Sequence, residues 1–396
     1  MSQSKIIKPD HTAKRGHFIF GPEHEAVRKQ LRRFVESELA PHAEEWEETT
    51  YPSEIFRRMG ELGFLGLNKP EEYGGQGGDY YMEMVLAEEL ARSGSGGLSM
   101  GLFVQTEMTL PTILQFGSEQ QKQEWAAPAI AGEKILCLGI TEPDAGSDVA
   151  SIRTHAAYDA ASDEYVINGS KVYITNGWRA DMIVLVTKTD LDAGYEGFTL
   201  FLVPMDLPGV VREKKLQKAG MHASDTALLH FKDVRVPASA VLGEVGKGFF
   251  QIMWELQSER LIAAAGAVAA AQVLFERTMD YALQRKAFGR EIGHFQVIRH
   301  KFAEMSTKIE VGRAMTYMTA WRYANGEYPV REISQAKLYT ARIACEIADE
   351  CLQIHGGIGY MRETGIERAW RDLRLNRIGA GTDEVMLDVI GRSFGL

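Results

Sequence analysis

Two short stretches in the middle of the chain carry residue types that could hold a flat, charged ligand. Residues 138–148, LGITEPDAGSD, pass from a β-like run into a turn of small residues, where exposed N–H groups and the Ser147 hydroxyl could bind an anion. Tyr173 and Thr175 are two residues apart in a second β-like run, so a strand would place both on one face. An aromatic ring beside a hydroxyl could stack on a planar ring and hydrogen-bond its edge. An ordinary turn and a half-buried strand face explain the same residues, so these stretches alone leave the function open.

Proline spacing and hydrophobic periodicity predict the elements that must position these residues. After Pro237 only Pro329 remains, which leaves the last part of the chain open to long helices. Apolar residues recur every three and four positions, which predicts a helical bundle over residues 261–283, 297–323 and 333–354, with a short helix over 383–394. The beginning of the chain has the same period in shorter pieces, broken by turns such as YGGQGG at 73–78.

Between about residues 135 and 244 the sequence changes to β type. Residues 165–167 and 171–174 flank Asn168-Gly169, a dipeptide typical of a hairpin turn. Further β-rich runs follow without a helical crossover between them, which favours an antiparallel sheet or small barrel, at 182–187, 198–203 and 227–236. The sequence therefore predicts an α+β chain with an N-terminal helical domain (1–134), a middle antiparallel β domain (135–245) and a C-terminal helical bundle domain (246–396).

Composition excludes several classes of protein. The chain has 396 residues, 44 Lys+Arg and 54 Asp+Glu, and therefore a net charge of −10. With 45% hydrophobic and 25% charged residues it is globular rather than disordered. An acidic chain is not expected to bind nucleic acid or a membrane surface through a basic field. A phosphate-bearing ligand would have to be held by local basic groups and backbone N–H groups.

The compartment is predicted from three features. The longest nearly apolar run, 261–275, is shorter than the ~20 residues of a membrane span. The start of the chain, with Lys5, Lys8 and Asp10, lacks an apolar signal core, so a cytoplasmic location is expected. The chain has three cysteines in no paired pattern, which predicts a reducing compartment without disulfides. No metal site is expected, because Cys351 and His355, one helical turn apart, lack further ligands.

The two stretches described first, 138–148 and the one with Tyr173 and Thr175, belong to a series of motifs that resembles the acyl-CoA dehydrogenase family. Residues 140–148 and 173–177 look like the family's two flavin-contacting segments in the β domain. The series continues with residues that are similar to its second-subunit flavin segment and later motifs: 284–289 (QRKAFG), 294–296 (HFQ), 353–357 (QIHGG) and 379–382 (GAGT). The motifs follow in family order from about residue 25 to the C-terminus. Long-chain and isovaleryl-type members are the most similar.

The resemblance implies an FAD-dependent oxidoreductase of fatty acid β-oxidation. Such an enzyme converts an acyl-CoA to the trans-2-enoyl-CoA, passes electrons to an electron-transfer flavoprotein and forms a homotetramer. The implied cofactor residues are Leu138, Ile140, Thr141, Ser147, Tyr173, Thr175, Arg285, Phe288, Gln296, Gln353, Gly356, Gly357, Thr382 and Glu384. Tyr173 would pack on the flavin ring, where many members have Trp, and Thr175 would hydrogen-bond near N5. Arg285, with Phe288 and Gln296, would reach a neighbouring subunit's FAD, where a guanidinium can bind pyrophosphate oxygens bidentately.

The catalytic base is where the sequence departs from much of the family. The chemistry needs a base for the α-proton, and a carboxylate suits this role where burial raises its pKa. In much of the family that carboxylate precedes the Gly-Thr pair near the C-terminus, but the matching residue here is Ala380, which cannot transfer a proton. Long-chain and isovaleryl-type members carry the base on a helix of the C-terminal domain, and the matching stretch QSERL assigns it to Glu259. Asp383 and Glu384 are runners-up, although they are expected to open and cap a helix.

The resemblance also implies where the substrate binds. Residues that would contact the acyl-CoA are Ser147, Phe250, Gln257, Arg260, Ala380 and Gly381. The backbone N–H of Ala380 would polarise the thioester carbonyl, a role that any side chain permits. Apolar residues between 101 and 114 would line the acyl chain, although core packing explains them equally. Two alternatives stay open: an oxygen-using acyl-CoA oxidase on the same scaffold, and a non-catalytic CoA-binding or scaffold protein, for which Ala380 is the one favourable feature.

Overall fold

The computed structural model describes residues 17–396, which form two compact units. Residues 17–44, Tyr80–Gly96 and Leu261–Leu396 make up the first, called the helical unit below. Glu45–Asp79 and Gly97–Arg260 make up the second, called the sheet unit. The three consecutive domains expected from the sequence stay a prediction, because this division follows spatial contact rather than chain order.

Helices occupy most of the chain before and after the sheet. The α-helices are α1 Pro22–Phe34, α2 Ala43–Glu48, α3 Glu54–Glu61, α4 Tyr81–Leu90, α5 Gly96–Phe103, α6 Leu110–Phe116, α7 Glu119–Gln121, α8 Ala127–Ile130, α9 Gly248–Gln284, α10 Gln296–Ala324, α11 Val330–His355, α12 Ile366–Leu373 and α13 Asp383–Arg392. π-Helical turns span Val35–Leu39, Val104–Thr109 and Lys122–Ala126. The long helices α9, α10 and α11 lie in the proline-poor part of the chain, as predicted, and Pro329 directly precedes α11.

The helical unit has an apolar core that confirms the predicted helical bundle. Phe275 of α9 packs edge-to-face on Phe302 of α10, with 5.3 Å between ring centroids. Ile309 and Ile347 bring α10 and α11 into the same cluster. These residues recur at helical spacing in the sequence, and burying that stripe is the main source of stability for such helices.

Helix α9 is longer than the apolar run that the sequence indicates. It is long and apolar enough to cross a membrane by length and composition, and 67% of its most apolar stretch of 18 residues is buried within the fold. Small buried side chains such as Ala264, Ala267 and Ala271 allow close packing, which is typical of a core helix. The cytoplasmic location stays a prediction, and Lys5, on which it partly depends, lies outside the described residues with its neighbours.

The three cysteines are free thiols, with Cys137 and Cys351 buried and Cys345 half-buried. The imidazole of His355 hydrogen-bonds through Nδ1 to the carbonyl oxygen of Cys351, 2.8 Å away. Between residues 17 and 396, no group of three or more His, Cys, Asp or Glu side chains is arranged to hold a metal ion.

The β-strands form a mixed sheet rather than a purely antiparallel one. Its strands are β1 Leu136–Gly139, β2 His155–Asp159, β3 Glu164–Thr175, β4 Met182–Lys188, β5 Phe198–Pro204, β6 Val210–Lys215, β7 Thr226–Pro237 and β8 Val241–Leu242. The order is β6-β7-β3-β2-β4-β5-β8, and most neighbours are antiparallel as predicted. β1 pairs with β4 in parallel, and β2 meets β4 in parallel at one residue pair. β1 enters from the N-terminal helices, so no hairpin sets its direction.

The Asn168-Gly169 pair does not form the predicted hairpin turn. β3 runs through it without a break, and the register between β3 and β7 shifts there because β7 contains one extra residue beside Asp233. The Asn168 side chain exchanges two hydrogen bonds with Asp233, of 2.9 and 3.0 Å, which hold this bulge. Glycine is required for packing, since a Cβ on Gly169, with φ +155°, would overlap Thr154.

Strand β4 is buried on both faces and organises the sheet unit. Met182, Val184 and Val186 belong to a cluster that also contains residues of α6, α8 and α9. Ile183 and Leu185 point into a second cluster with β3, β5 and β7. Because successive strand residues point to opposite faces, an all-apolar strand such as this one must be covered on both sides. β1, beside β4, is therefore held firmly at the point where the loop 138–148 begins.

Candidate functional site

A fully buried lysine holds the loop that follows β1. Lys171 Nζ donates to the carbonyl oxygen of Ile140 at 2.9 Å and to Glu142 Oε1 at 2.7 Å. Burial lowers the pKa of Lys171 to about 8, although the Glu142 charge opposes this shift. Burial alone would raise the pKa of Glu142, but the Lys171 charge and several hydrogen bonds outweigh it and leave that pKa below its ordinary value. The sequence analysis missed this pair, because its members are distant in the chain.

Further hydrogen bonds fix the first part of the loop and leave its tip exposed. Glu142 accepts from the backbone N–H groups of Arg153 at 2.6 Å and Thr154 at 2.9 Å. The N–H of Val172 donates to the carbonyl oxygen of Thr141 at 2.9 Å. Thr141 itself is half-buried, and the small-residue tip with Ser147 is exposed. The first part of the loop is therefore held in one conformation, while its tip is accessible to a ligand.

The β3 end that carries Tyr173 and Thr175 contains a bulge. Pairing with β7 slips by one residue between Lys171 and Ile174, and Tyr173 adopts a left-handed backbone conformation with φ +63°. Its side chain is 69% exposed, while Ile174 is buried and Thr175 half-buried. A large aromatic ring held outward in a strained conformation is available to stack on a flat ligand.

Asn176 anchors the same strand end to the rest of the sheet unit. Its Nδ2 donates to the carbonyl oxygen of Gly101 at 2.8 Å and to that of Leu136 at 3.4 Å. A Cβ on Gly101 would overlap the hydroxyl of the buried Tyr51, so glycine is needed for this close approach. Residue Asn176 thus links β3, β1 and α5, and its role was not visible in the sequence because the partners are far apart in the chain.

The sheet unit also contains the beginning of α9 with the proposed base. Leu138 and Ile140 pack on the apolar cluster that includes Ile252 and Leu256 of this helix. The side chain of Glu259 is half-buried. Of the residues implied to contact the substrate here, Gln257 and Arg260 are buried and Phe250 is 55% exposed. The structure therefore connects the loop after β1 to the helix that carries Glu259 through one apolar core.

A second carboxyl group lies beside Glu259, and the sequence analysis did not single it out. Glu255, one helical turn earlier, is fully buried. Burial, followed by the charge of Glu259 and a hydrogen-bonding contact with it, raises the pKa of Glu255 well above its ordinary value, against a smaller opposing effect of Arg260. The i, i+4 spacing from Glu259, which the family resemblance placed on a helix, was the signal that could have found it.

In the helical unit, a short hairpin with a two-residue turn lies among the residues that the resemblance implies would reach a second FAD. Strands β9 Lys286–Ala287 and β10 Arg290–Glu291 are joined by Phe288 and Gly289, both with positive φ, which is the requirement of a type I′ turn. The Phe288 side chain is 95% exposed. Arg285, just before the hairpin, and Gln296, at the start of α10, are also exposed.

The end of α11 and the loop before α13 lie in the same unit. Gln353, Gly356 and Gly357 are exposed, and Gly356, with φ +63°, turns the chain at the helix end. The ring of His355 stacks on Tyr281 of α9, with 4.3 Å between centroids. The exposed glycines therefore sit next to a stacked pair that joins α9 to α11.

A buried lysine also holds the loop that contains Ala380. Lys337 of α11 donates to the carbonyl oxygen of Gly381. Ala380 is half-buried and left-handed, with φ +57°. The cap of α13 is neither Asp383 nor Glu384, as was expected, but Thr382, whose hydroxyl accepts from the N–H of Val385 at 3.3 Å.

Asp383 has a different role from capping, because two arginines hold its carboxylate. Arg342 Nε lies 3.0 Å and Arg377 Nη2 2.7 Å from Asp383 Oδ2. Burial alone would raise the pKa of Asp383, but the two guanidinium groups outweigh it and lower that pKa. A carboxylate stabilised in its charged form is a poor candidate for a base, whereas Glu384 is exposed at the first turn of α13.

The predicted site residues fall into two sets. Glu259 and its neighbours on α9, the loop after β1 and the end of β3 belong to the sheet unit, and the residues from Arg285 onward belong to the helical unit. The sheet-unit set offers an exposed aromatic ring at Tyr173, the hydroxyls of Thr141, Ser147 and Thr175, and a small-residue loop. This donor set fits a planar ring system attached to an anionic group.

Comparison with known proteins gives a match along nearly the whole described chain. Three family models match in order: the acyl-CoA dehydrogenase N-terminal domain at residues 21–133, the middle domain at 137–234 and the C-terminal domain at 246–395. The chain is 41% identical to the long-chain specific acyl-CoA dehydrogenase of Sus scrofa mitochondria over 377 residues, covering 94% of this chain and 87% of that protein. It is 36% identical to the mitochondrial isovaleryl-CoA dehydrogenase of Solanum tuberosum, covering 97% and 93% of the two chains. The crystal structure of an acyl-CoA dehydrogenase from Geobacillus kaustophilus superimposes with a TM-score of 0.92 at 41% identity, covering 95% and 99%.

Proposed function

Because the chain belongs to the acyl-CoA dehydrogenase family, whose members are FAD-dependent oxidoreductases, we propose that it oxidises an acyl-CoA to the trans-2-enoyl-CoA with Glu259 as the base. The observation that carries the assignment of the base is the contrast between two positions. Glu259 is a half-buried carboxyl on α9, while Ala380 has no ionisable side chain. The alternative carboxylate, Asp383, is held in ion pairs with Arg342 and Arg377.

The proposal includes FAD, and the residues present fit this cofactor. The exposed Tyr173 ring would stack on the flavin, and Thr175 and Thr141 would hydrogen-bond its edge. Lys171 supports this site indirectly, because it holds the carbonyl oxygen of Ile140 and the loop in one conformation. Arg285 is exposed and suited to pyrophosphate oxygens, and with Phe288 and Gln296 it would serve the FAD of a neighbouring subunit. FAD, when bound, would supply the acceptor for the β-hydride.

Glu259 would take the α-proton of the thioester. Glu259 is half-buried on α9, so the fold shields its carboxylate in part from water and leaves part of it accessible to a substrate. The substrate must lose this proton from carbon, so its carbonyl oxygen needs hydrogen-bond donors as negative charge develops there. The N–H of Ala380 would be one such donor, held in place because Lys337 fixes the adjoining Gly381 carbonyl.

The remaining implied contacts concern CoA binding and partners. Gln257 and Arg260, both buried, and the exposed Phe250 and Ser147 would bind the CoA moiety, and Gly381 would contact the acyl-CoA as well. Thr382, Glu384, Gln353, Gly356 and Gly357 would complete the FAD site. We propose an electron-transfer flavoprotein as the electron acceptor and a homotetramer as the assembly, as is typical of the family.

The direct test is anaerobic bleaching of the flavin in the FAD-loaded protein by a series of acyl-CoA thioesters that differ in chain length and branching. Rapid bleaching by at least one thioester, with formation of the enoyl-CoA, is expected. Rapid peroxide formation in air without an added acceptor would instead indicate the acyl-CoA oxidase. A protein that binds no FAD, or binds it without bleaching by any thioester, would favour the CoA-binding or scaffold alternative.

A further inference from the structure

Helix α9 brings a second carboxyl group into contact with the proposed base. Glu255 precedes Glu259 by four residues, or about one helical turn, so both side chains project from the same side of the helix. Glu255 is 0% exposed, and its carboxyl group lies within hydrogen-bonding reach of the Glu259 carboxyl group. The mechanism proposed above does not use this second group.

The contact between the two carboxyl groups requires a proton. Ionised carboxylates only accept hydrogen bonds, and neither oxygen of Glu255 meets a donor among the residues that the structure describes. Burial and the Glu259 charge both disfavour ionisation of Glu255, and together they outweigh the opposing effect of Arg260 and raise its pKa. A carboxylic acid facing a carboxylate is the arrangement that satisfies both groups.

Other charged groups near this part of α9 are already engaged. Ser258 Oγ donates to the carbonyl oxygens of Glu255 and Glu107, each at 3.0 Å, and so ties α9 to the π-helical turn Val104–Thr109. The Glu107 carboxylate there lies 3.5 Å from Lys69 Nζ. Among the described residues, Glu259 and Arg260 are thus the charged groups that act on Glu255.

We propose that Glu255 is a positioning residue that carries a proton and donates it in a hydrogen bond to Glu259, so that the two groups share one negative charge. Its role in catalysis rests on the proposed function, whereas the shared proton does not. With Glu255 neutral, Glu259 keeps the charge that accepts the α-proton, and the hydrogen bond sets the direction of its free oxygen. In the proposed reaction the α-C–H bond would break and an O–H bond would form on Glu259, bound FAD would supply the acceptor for the β-hydride, and Glu255 would keep its own proton.

The pair has a defined dependence on pH. At low pH both carboxyls are protonated and no base is present. At high pH Glu255 ionises, so the hydrogen bond to Glu259 is lost and two negative charges face each other. Activity therefore requires the singly ionised pair and follows a bell-shaped profile, whose two limbs belong to the pair rather than to either residue.

The experiment compares wild type with Glu255→Gln, Glu255→Leu and the control Glu89→Gln, all loaded with FAD. Glu89 is equally buried, but its carboxylate is ion-paired with Arg28 and Arg32. The first measurement is the infrared C=O band of a protonated carboxyl near neutral pH, in H₂O and in D₂O. Wild type and Glu89→Gln should show a band that shifts in D₂O, and both Glu255 variants should lack it.

The second measurement is the rate of flavin reduction by acyl-CoA as a function of pH. Glu255→Gln keeps a neutral donor, so it should work at neutral pH and lose the decline at high pH. Glu255→Leu removes the donor, so the low-pH limb should shift upward and the rate at neutral pH should fall roughly 10- to 100-fold, as expected for a hydrogen bond to a charged group.

Each outcome decides one of the two proposals. If wild type lacks the protonated-carboxyl band, or Glu255→Gln retains it, there is no shared proton and the inference is wrong. If Glu255→Gln has the wild-type pH profile, Glu255 does not position the base. If wild type shows the band but no acyl-CoA bleaches its flavin, the proposed function fails while the shared proton stands. Should Glu255→Leu not fold, the infrared band and the Glu255→Gln profile still decide the inference.

Discussion

Lys171 of β3 and Glu142 of the loop after β1 form a buried ion pair, with 2.7 Å between Nζ and Oε1. The same ammonium group binds the carbonyl oxygen of Ile140. Lys171 is only two residues from Tyr173, so one buried cation sets the geometry of both stretches that the sequence marks as flavin-contacting. The two stretches are therefore parts of a single structure rather than independent ligand segments.

Replacing Lys171 should destabilise the sheet unit strongly. Lys171→Met leaves the Glu142 carboxylate buried without its counter-charge, so the free energy of unfolding should fall by about 3–5 kcal/mol. Lys171→Met with Glu142→Gln should recover part of this loss, because no unpaired charge remains. Urea unfolding measures both effects on stability. The amount of FAD retained after gel filtration shows whether the loop after β1 still binds the cofactor. The exposed Lys232→Met is the control, with a change of about 0.5 kcal/mol or less. A double variant no more stable than Lys171→Met would contradict the role of the pair.

At Tyr173, backbone strain and ring stacking can be separated. Because this residue has φ +63°, Tyr173→Gly should be about 1 kcal/mol more stable than Tyr173→Ala in urea unfolding of the apo-protein. Both variants lose the exposed ring and should bind FAD more weakly in a fluorescence titration, whereas Tyr173→Trp should retain FAD. Equal FAD affinity in wild type and Tyr173→Gly would show that the ring does not stack on the cofactor.

The assignment of the base makes Glu259→Gln the central activity variant. It should bind FAD as wild type does but reduce it with acyl-CoA about 10²–10⁴-fold more slowly, the usual contribution of general-base catalysis. Stopped-flow bleaching gives the rate, and absorbance gives the flavin content. Asp280→Asn, an exposed carboxylate on the same helix, is the matched control and should keep the wild-type rate. A wild-type rate in Glu259→Gln would mean that another residue is the base.

Asp383 should contribute stability that depends on pH. Arg342 and Arg377 lower its pKa in the folded state against the effect of burial, so its contribution is complete above the unfolded pKa of about 4 and is lost as the pH falls through the folded pKa. Asp383→Asn should therefore be about 1–3 kcal/mol less stable at pH 7, and the difference from wild type should shrink below about pH 4. Urea unfolding at several pH values tests this. The exposed Asp388→Asn on α13 is the control, and a pH-independent difference for Asp383→Asn would contradict the ion-pair explanation.

The sequence by itself determined the class of fold and the family. Helical stripes such as 333–354 and the all-apolar strand 182–187 can be read locally, because their periods reflect which side chains a helix or strand buries. The order of the motifs can also be read from the sequence, as can the alanine at position 380 where much of the family has a carboxylate. The family resemblance that these motifs support assigns the base to Glu259. These features depend on residue type and short spacing alone.

The tertiary structure decided what depends on partners that are distant in the chain. Asn168-Gly169 would be a hairpin turn if only local preference counted, but pairing with Asp233 and packing on Thr154 keep β3 extended. β1 is parallel to β4 because it enters the sheet from the helices. The protonation of a carboxyl or an ammonium depends on burial and on neighbouring charge, which no local pattern contains. That is why Lys171, Glu142 and Glu255 became visible as parts of the site only when the folded chain brought their partners into contact with them.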